Sequence, residues 1–160
     1  MNSIIKKTAL LIIITLYSLT LHAQSIPETG NVGIRANITG QTSIEVPYML
    51  NESLSIAPFI GLNATKDQTT NFSLGVRPRY YITNENSFAT YATGTLGISN
   101  TSLNNANTSI TDFNIGVGYG AEYFFSDHFS VSGDANLNSR VGDSANNLST
   151  AVRISASLYF

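Results

Sequence analysis

The chain has 160 residues, eight Lys and Arg against ten Asp and Glu, a formal charge of −2 and no cysteine. The basic residues beyond the first 23, Arg35, Lys66, Arg77, Arg79, Arg140 and Arg153, form no run or patch, which argues against a nucleic-acid partner. Without disulfides, a domain of this size must draw its stability from packing or from closure of a sheet.

The first segment, M-N-S-I-I-K-K-T-A-L-L-I-I-I-T-L-Y-S-L-T-L-H-A, places Lys6 and Lys7 ahead of an apolar run from Ala9 to Leu21 and ends on small Ala23. This is the layout of a cleaved secretory signal peptide, residues 1–23, and the run is short for a spanning helix. A short polar lead, 24–30, follows. From there residues 31–160 form one domain with no sustained helical period. Period two recurs instead, and predicts strands near 31–39, 42–50, 54–63, 71–82, 88–99, 110–124, 129–140 and 150–160.

The joints between these strands alternate in length. Those around 51–53, 83–87 and 126–128 are short, whereas 63–70, 100–109 and 141–149 are longer and rich in Asn, Thr and Ser. Only the joint at Thr39 to Gln41 departs from this rule. Short turns at one end and long loops at the other are the layout of an outer-membrane barrel, with both termini on the periplasmic side. The expected fold is all-β, an eight-stranded antiparallel up-and-down transmembrane β-barrel preceded by a signal peptide helix. An exported soluble β-barrel or sandwich binding a small ligand is the rival reading, with the apolar face turned inward.

The two faces differ sharply. One carries Val32, Ile34, Ile44, Val46, Leu54, Ile56, Phe72, Leu74, Leu96, Ile98, Ile115 and Val117; the other carries Arg35, Glu45, Arg77, Arg79, Asp112, Glu122, Asp134, Arg140 and Arg153. In hydrocarbon the apolar face is outside, and Arg35, Glu45, Arg77, Arg79, Glu122, Asp134, Arg140 and Arg153 become an interior charge network, paired because isolated charges in a narrow lumen are costly. Tyr48, Tyr80, Tyr81, Phe88, Tyr123, Phe124, Phe125, Phe129, Tyr159 and Phe160 gather at the short-turn ends, where an aromatic girdle is expected. Gly116, Gly118 and Gly120 face inward and read as space for large residues such as Arg77 or Arg79. G-V-G-Y-G lacks the strand-to-helix context of a nucleotide loop.

Two stretches carry a resemblance. G-V-G-Y-G-A-E-Y-F-F-S-D-H-F-S-V-S-G-D, residues 116–134, resembles the penultimate hairpin of small bacterial outer-membrane proteins of the OmpA-type transmembrane domain superfamily, and V-R-I-S-A-S-L-Y-F, 152–160, is similar to their carboxy-terminal strand. The resemblance implies outer-membrane lipid and the barrel-assembly machinery as partners, with Leu158, Tyr159 and Phe160 as an assembly signal. No peptidoglycan-binding domain of the kind attached to longer members of that superfamily follows residues 31–160, so a barrel alone is expected and anchoring to the cell wall through such a domain is not implied.

Catalysis and cofactors find little footing. Eight-stranded barrels that act on lipid A use a His with a Ser and an acidic partner near the outer leaflet, whereas His128 sits in a short turn expected on the periplasmic side. No cysteine is present, and D-Q-T-T-N and V-G-D-S-A-N-N lack the ligand order of a calcium loop, so no metal or cofactor is expected. The function predicted is non-enzymatic: a structural or surface-interaction barrel working through extracellular loops, with an unidentified extracellular ligand in view, and a narrow pore for ions or small solutes as the alternative.

Overall fold

The computed structural model describes residues 26–39, 42–65, 69–103, 108–144 and 146–160. The expected signal segment lies outside the described residues, and none of the described residues is helical. The elements are β1 (Gly33–Asn37), β2 (Ser43–Glu45), β3 (Tyr48–Asn51), β4 (Leu54–Thr65), β5 (Thr69–Glu85), β6 (Phe88–Leu103), β7 (Thr108–Ser126), β8 (Phe129–Gly142) and β9 (Asn147–Tyr159).

β2 and β3 are two halves of a single barrel strand. Both pair with β4 in one continuous register, Ile44 opposite Ile60 and Tyr48 opposite Ile56, and between them the Val46 N–H donates to the Pro58 carbonyl at 2.9 Å. The interruption falls at Pro47, which has no N–H to give to a ladder. Counted this way the wall has eight antiparallel strands, in the order β2-β1-β9-β8-β7-β6-β5-β4, and the β2–β4 pairing closes it. Closure leaves the wall without the edges of an open sheet.

Three hairpins at one end are two-residue turns, with Asn51 opposite Leu54, Glu85 opposite Phe88 and Ser126 opposite Phe129. Asn86 takes the left-handed conformation, φ 54°, that such tight turns require of a residue and that Asn tolerates. At the other end the strands run well past their expected limits. β6 continues to Leu103 and β7 begins at Thr108, so most of 100–109 is paired strand; likewise β4 reaches Thr65, β5 starts at Thr69, and β8 and β9 take up Val141, Gly142 and 147–149. Polar cross-strand bonds support this extension: Asn71 Nδ2 donates to Thr101 Oγ1 at 2.7 Å, and Asn100 Nδ2 to Ser109 Oγ and Thr111 Oγ1 at 2.8 and 2.9 Å. Asn100, Thr101 and Ser109, which in sequence read as loop, here stitch strands together.

Burial alternates along each strand, and it is inverted relative to a protein that packs in water. The exposed set includes Ile34, Ile44, Ile60, Leu62, Leu74, Ile98, Ile115, Val117, Val152 and Leu158, while the buried set includes Arg35, Glu45, Arg77, Arg79, Glu122 and Asp134. The aromatic expectation needs a correction. Tyr80, Tyr123, Phe125 and Phe160 do face outward, but Tyr81, Phe124 and Tyr159 are buried in the lumen together with Tyr91 and Met49. Adjacent residues of a strand point to opposite faces, so pairs such as Tyr80-Tyr81 and Tyr159-Phe160 are obliged to divide between lumen and girdle.

Candidate functional site

The lumen is built from inward positions of every barrel strand. β7 brings Glu122, fully buried, and four donors converge on it: Arg79 Nη1 at 3.0 Å, the Tyr81 and Tyr159 hydroxyls at 2.9 and 3.0 Å, and the Ser130 hydroxyl. Tyr159 also accepts from Arg35 Nη2 at 3.0 Å, and Arg35 reaches Ser157 Oγ through Nε at 3.0 Å and Glu45 through Nη1 at 3.2 Å. Glu45 then pairs with Arg77 and accepts from Asn37 Nδ2 at 2.8 Å. A connected chain thus runs from β7 through β9 and β1 to β2 and β5.

A second branch starts at the same guanidinium. Arg79 Nη2 lies 3.6 Å from Asp134, which pairs with Arg153 at 2.8 Å and accepts from the Tyr91 hydroxyl at 2.9 Å and from Asn136. Stacking fixes the planes of two arginines: Arg79 lies 4.2 Å over the Tyr91 ring and Arg77 4.6 Å over the Phe59 ring. Glycines open the room for these rings. A Cβ on Gly120 would lie 2.8 Å from Tyr91, and one on Gly97 would lie 3.0 Å from Phe59. Gly116 and Gly118 instead face Asn138 and Asn136, so the glycine run accommodates Tyr91 and two asparagines and not Arg77 or Arg79.

Seven of the eight charges singled out in sequence meet here. Arg140 does not; it is exposed near the long-hairpin end, where its Nε donates to Asn114 Oδ1 at 3.3 Å. Asp112 also sits apart and accepts from the Ser144 backbone N–H at 2.9 Å. The sequence reading missed the hydroxyl and amide members: Tyr81, Tyr91, Tyr159, Ser130, Ser157, Asn37 and Asn136. The signal that would have found them is the inward parity they share with the arginines.

Three buried carboxylates, each held by arginine, fill the lumen with fixed charge. Among the described residues no group of three His, Cys, Asp or Glu could hold a metal ion. His128 lies in the turn between β7 and β8, with Nδ1 3.0 Å from the Tyr159 carbonyl and its own carbonyl accepting from the Tyr159 N–H at 2.8 Å. Phe160 is exposed on the outward face, and its N–H donates to the Val32 carbonyl at 2.8 Å.

A closed antiparallel wall with an apolar exterior and a polar, hydrogen-bonded interior is the structure of a transmembrane β-barrel, one of only two ways a chain satisfies its backbone across hydrocarbon. Residues 16–160 match the model of the outer membrane protein beta-barrel domain, and the chain belongs to that family. Among solved structures it is similar to the N-terminal β-barrel domain of Pseudomonas aeruginosa OprF, with a TM-score of 0.63 and 15% identity over 86% of this chain and 100% of that one. It is also similar to Neisserial surface protein A, with a TM-score of 0.58 and 15% identity over 81% of this chain and 90% of that one. At this identity the likeness is one of fold. No curated protein matches the chain.

Proposed function

We propose that the protein is a shut, non-enzymatic outer-membrane barrel whose working surface is its long-hairpin end, held outside the cell by a wall that the lumen network locks. The observation that carries this reading is the network itself. Glu45 and Glu122 have no exposure and Asp134 is 4% exposed, and each is bound by an arginine from another strand, which leaves side chains where a water path would have to run. Eight-stranded barrels are just wide enough for such filling. The paired extensions of β4 to β9 then stand as a polar, hydrogen-bonded surface suited to contact with a partner, and surface segments on a rigid scaffold are where binding concentrates. The OmpA-type likeness of 116–134 and 152–160 supports the same orientation, with short turns and Phe160 on the periplasmic side.

Planar-bilayer recording of the reconstituted full chain tests this against a narrow pore. The expected trace has no reproducible single-channel steps. Stable steps whose size changes in Arg77→Ala or Glu122→Ala would establish conduction through the lumen and overturn the shut barrel.

A further inference from the structure

Between Ile26 and β1 the chain reverses direction at the short-turn end of the barrel. The Asn31 N–H donates to the Glu28 carbonyl at 3.1 Å, and Gly30 has φ 91°. A bond from the fourth residue to the first, with positive φ at the third, is a type II turn, which calls for glycine at that third place. Two backbone bonds tie the turn to the wall: the Gly30 N–H donates to the Met49 carbonyl at 2.8 Å, and the Met49 N–H to the Asn31 carbonyl at 3.0 Å. Val32 then bridges to Tyr48 and the chain enters β1. Glu28, Thr29 and Gly30 are exposed, whereas Ile26 and Pro27, ahead of the turn, are buried.

Ile26 is the one large apolar side chain of the polar lead Q-S-I-P-E-T-G, and it is 7% exposed. It joins a buried apolar cluster with Met49, Tyr81, Ala89, Tyr91, Phe124 and Tyr159, inward residues of β3, β5, β6, β7 and β9. Six members of this cluster thus belong to the wall, and the seventh is brought in from outside it. The cluster lies against the charge network. The Tyr81 and Tyr159 hydroxyls donate to Glu122 while their rings belong to the apolar layer, and Phe124 follows Glu122 on the same face of β7. A layer that keeps water off Glu122 strengthens the bonds it accepts, because polar pairs gain in a low local dielectric.

We propose that Ile26 and Pro27 form a stopper in the short-turn mouth of the barrel: a strap, hinged at the Glu28–Asn31 turn, that separates the lumen network from solvent at that end and opens by swinging out. The strap is the movable member of the mouth. It lies outside every strand, it is tied by two backbone bonds and one isolated bridge, and its turn depends on a single glycine. Segments held by so few bonds open at lower free energy than paired strands. A Cβ at Gly30 would meet nothing within 4 Å, so replacing that residue perturbs the backbone conformation and not the packing. The inference deepens the shut-barrel reading and rests on it.

The chain has no cysteine, so one introduced at Met49, which has no exposure, reports solvent entry through this mouth. The full chain carrying Met49→Cys is refolded in detergent micelles, and its reaction with a small water-soluble maleimide is followed on the folded, heat-modifiable gel band. Slow reaction is expected. Gly30→Ala should accelerate it about 5- to 30-fold, the population shift that follows from straining one residue into the left-handed region. Ile26→Asp, whose charge is expelled from the apolar cluster, should accelerate it further. Ala89→Cys, a smaller change in the same cluster, should repeat the pattern. Ser99→Cys, 4% exposed toward the long-hairpin end, should react at one rate with or without Ile26→Asp. Equal rates for Met49→Cys in all three backgrounds, or a rise at Ser99→Cys matching that at Met49→Cys, would overturn the stopper. Single-channel steps from the unmodified chain would instead sink the shut barrel beneath it.

Discussion

Glu122→Ala is the most incisive perturbation of the lumen, because Glu122 is the single acceptor on which Arg79, Tyr81, Tyr159 and Ser130 converge. Its removal leaves Arg79, 1% exposed, with one remaining carboxylate at 3.6 Å, and strands three buried hydroxyls. Hydroxyls can turn toward one another, so the charge sets the lower bound: breaking a buried pair from one side costs about 3–5 kcal/mol. Each hydroxyl that stays unsatisfied adds about 1–3 kcal/mol. Glu122→Gln keeps the shape and one acceptor and should fall between the variant and wild type. Arg140→Ala, at an exposed site with one long hydrogen bond, should stay within about 0.5 kcal/mol. Urea titration of protein refolded in lipid vesicles, read by heat-modifiable mobility and by tyrosine fluorescence, measures all three. Equal losses for Glu122→Ala and Arg140→Ala would refute the view that the lumen network holds the wall together.

Gly120→Ala should destabilise the barrel by about 1–3 kcal/mol in the same assay, the usual cost of overpacking, because its Cβ would meet the Tyr91 ring at 2.8 Å and the Gly133 carbonyl at 2.5 Å; the double variant with Tyr91→Ala should recover part of that loss. Cysteines at Ser102 and Ser109, direct register partners near the long-hairpin end, should form an intramolecular disulfide on mild oxidation, whereas a flexible loop there would give slow and incomplete closure. Deletion of Phe160 should lower the folded amount in the outer membrane and spare export across the inner membrane; an unchanged folded yield would remove Phe160 from assembly.

The architecture was legible because the strand period is two and the membrane inverts it: Ile115, Val117 and Tyr119 alternating with Asn114, Gly116 and Gly118 place a strand and both its faces at once. Parity also put Arg35, Glu45, Arg79 and Glu122 in one lumen. Which of them touch depends on how strands are staggered round the barrel, and that is long-range information: Arg35 and Tyr159 meet across 124 positions of sequence. The ends of the strands were harder to read for a chemical reason. Asn100, Thr101 and Ser109 have the composition of solvated loops, and only their cross-strand bonds make them sheet. Adjacent aromatics misled in another way, since residue type says nothing about which of Tyr80 and Tyr81 faces lipid.

The shortness of β1 bears on how the cylinder holds its own seam. β1 offers β9 a ladder only from Gly33 to Asn37, far shorter than the ladders between β5 and β6 or β6 and β7. On its other side β1 is held to β2 by a register shorter still, Arg35 opposite Glu45 and Ala36 opposite Ile44, so backbone bonds alone would make β1 a weak stave of the ring. Arg35 stands in the middle of that short ladder and binds Glu45 on one side of β1 and Ser157 and Tyr159 on the other. One guanidinium fork thus acts as a rivet through three neighbouring staves, so amide exchange along Gly33–Asn37 should report the state of Arg35 before it reports anything else in the barrel.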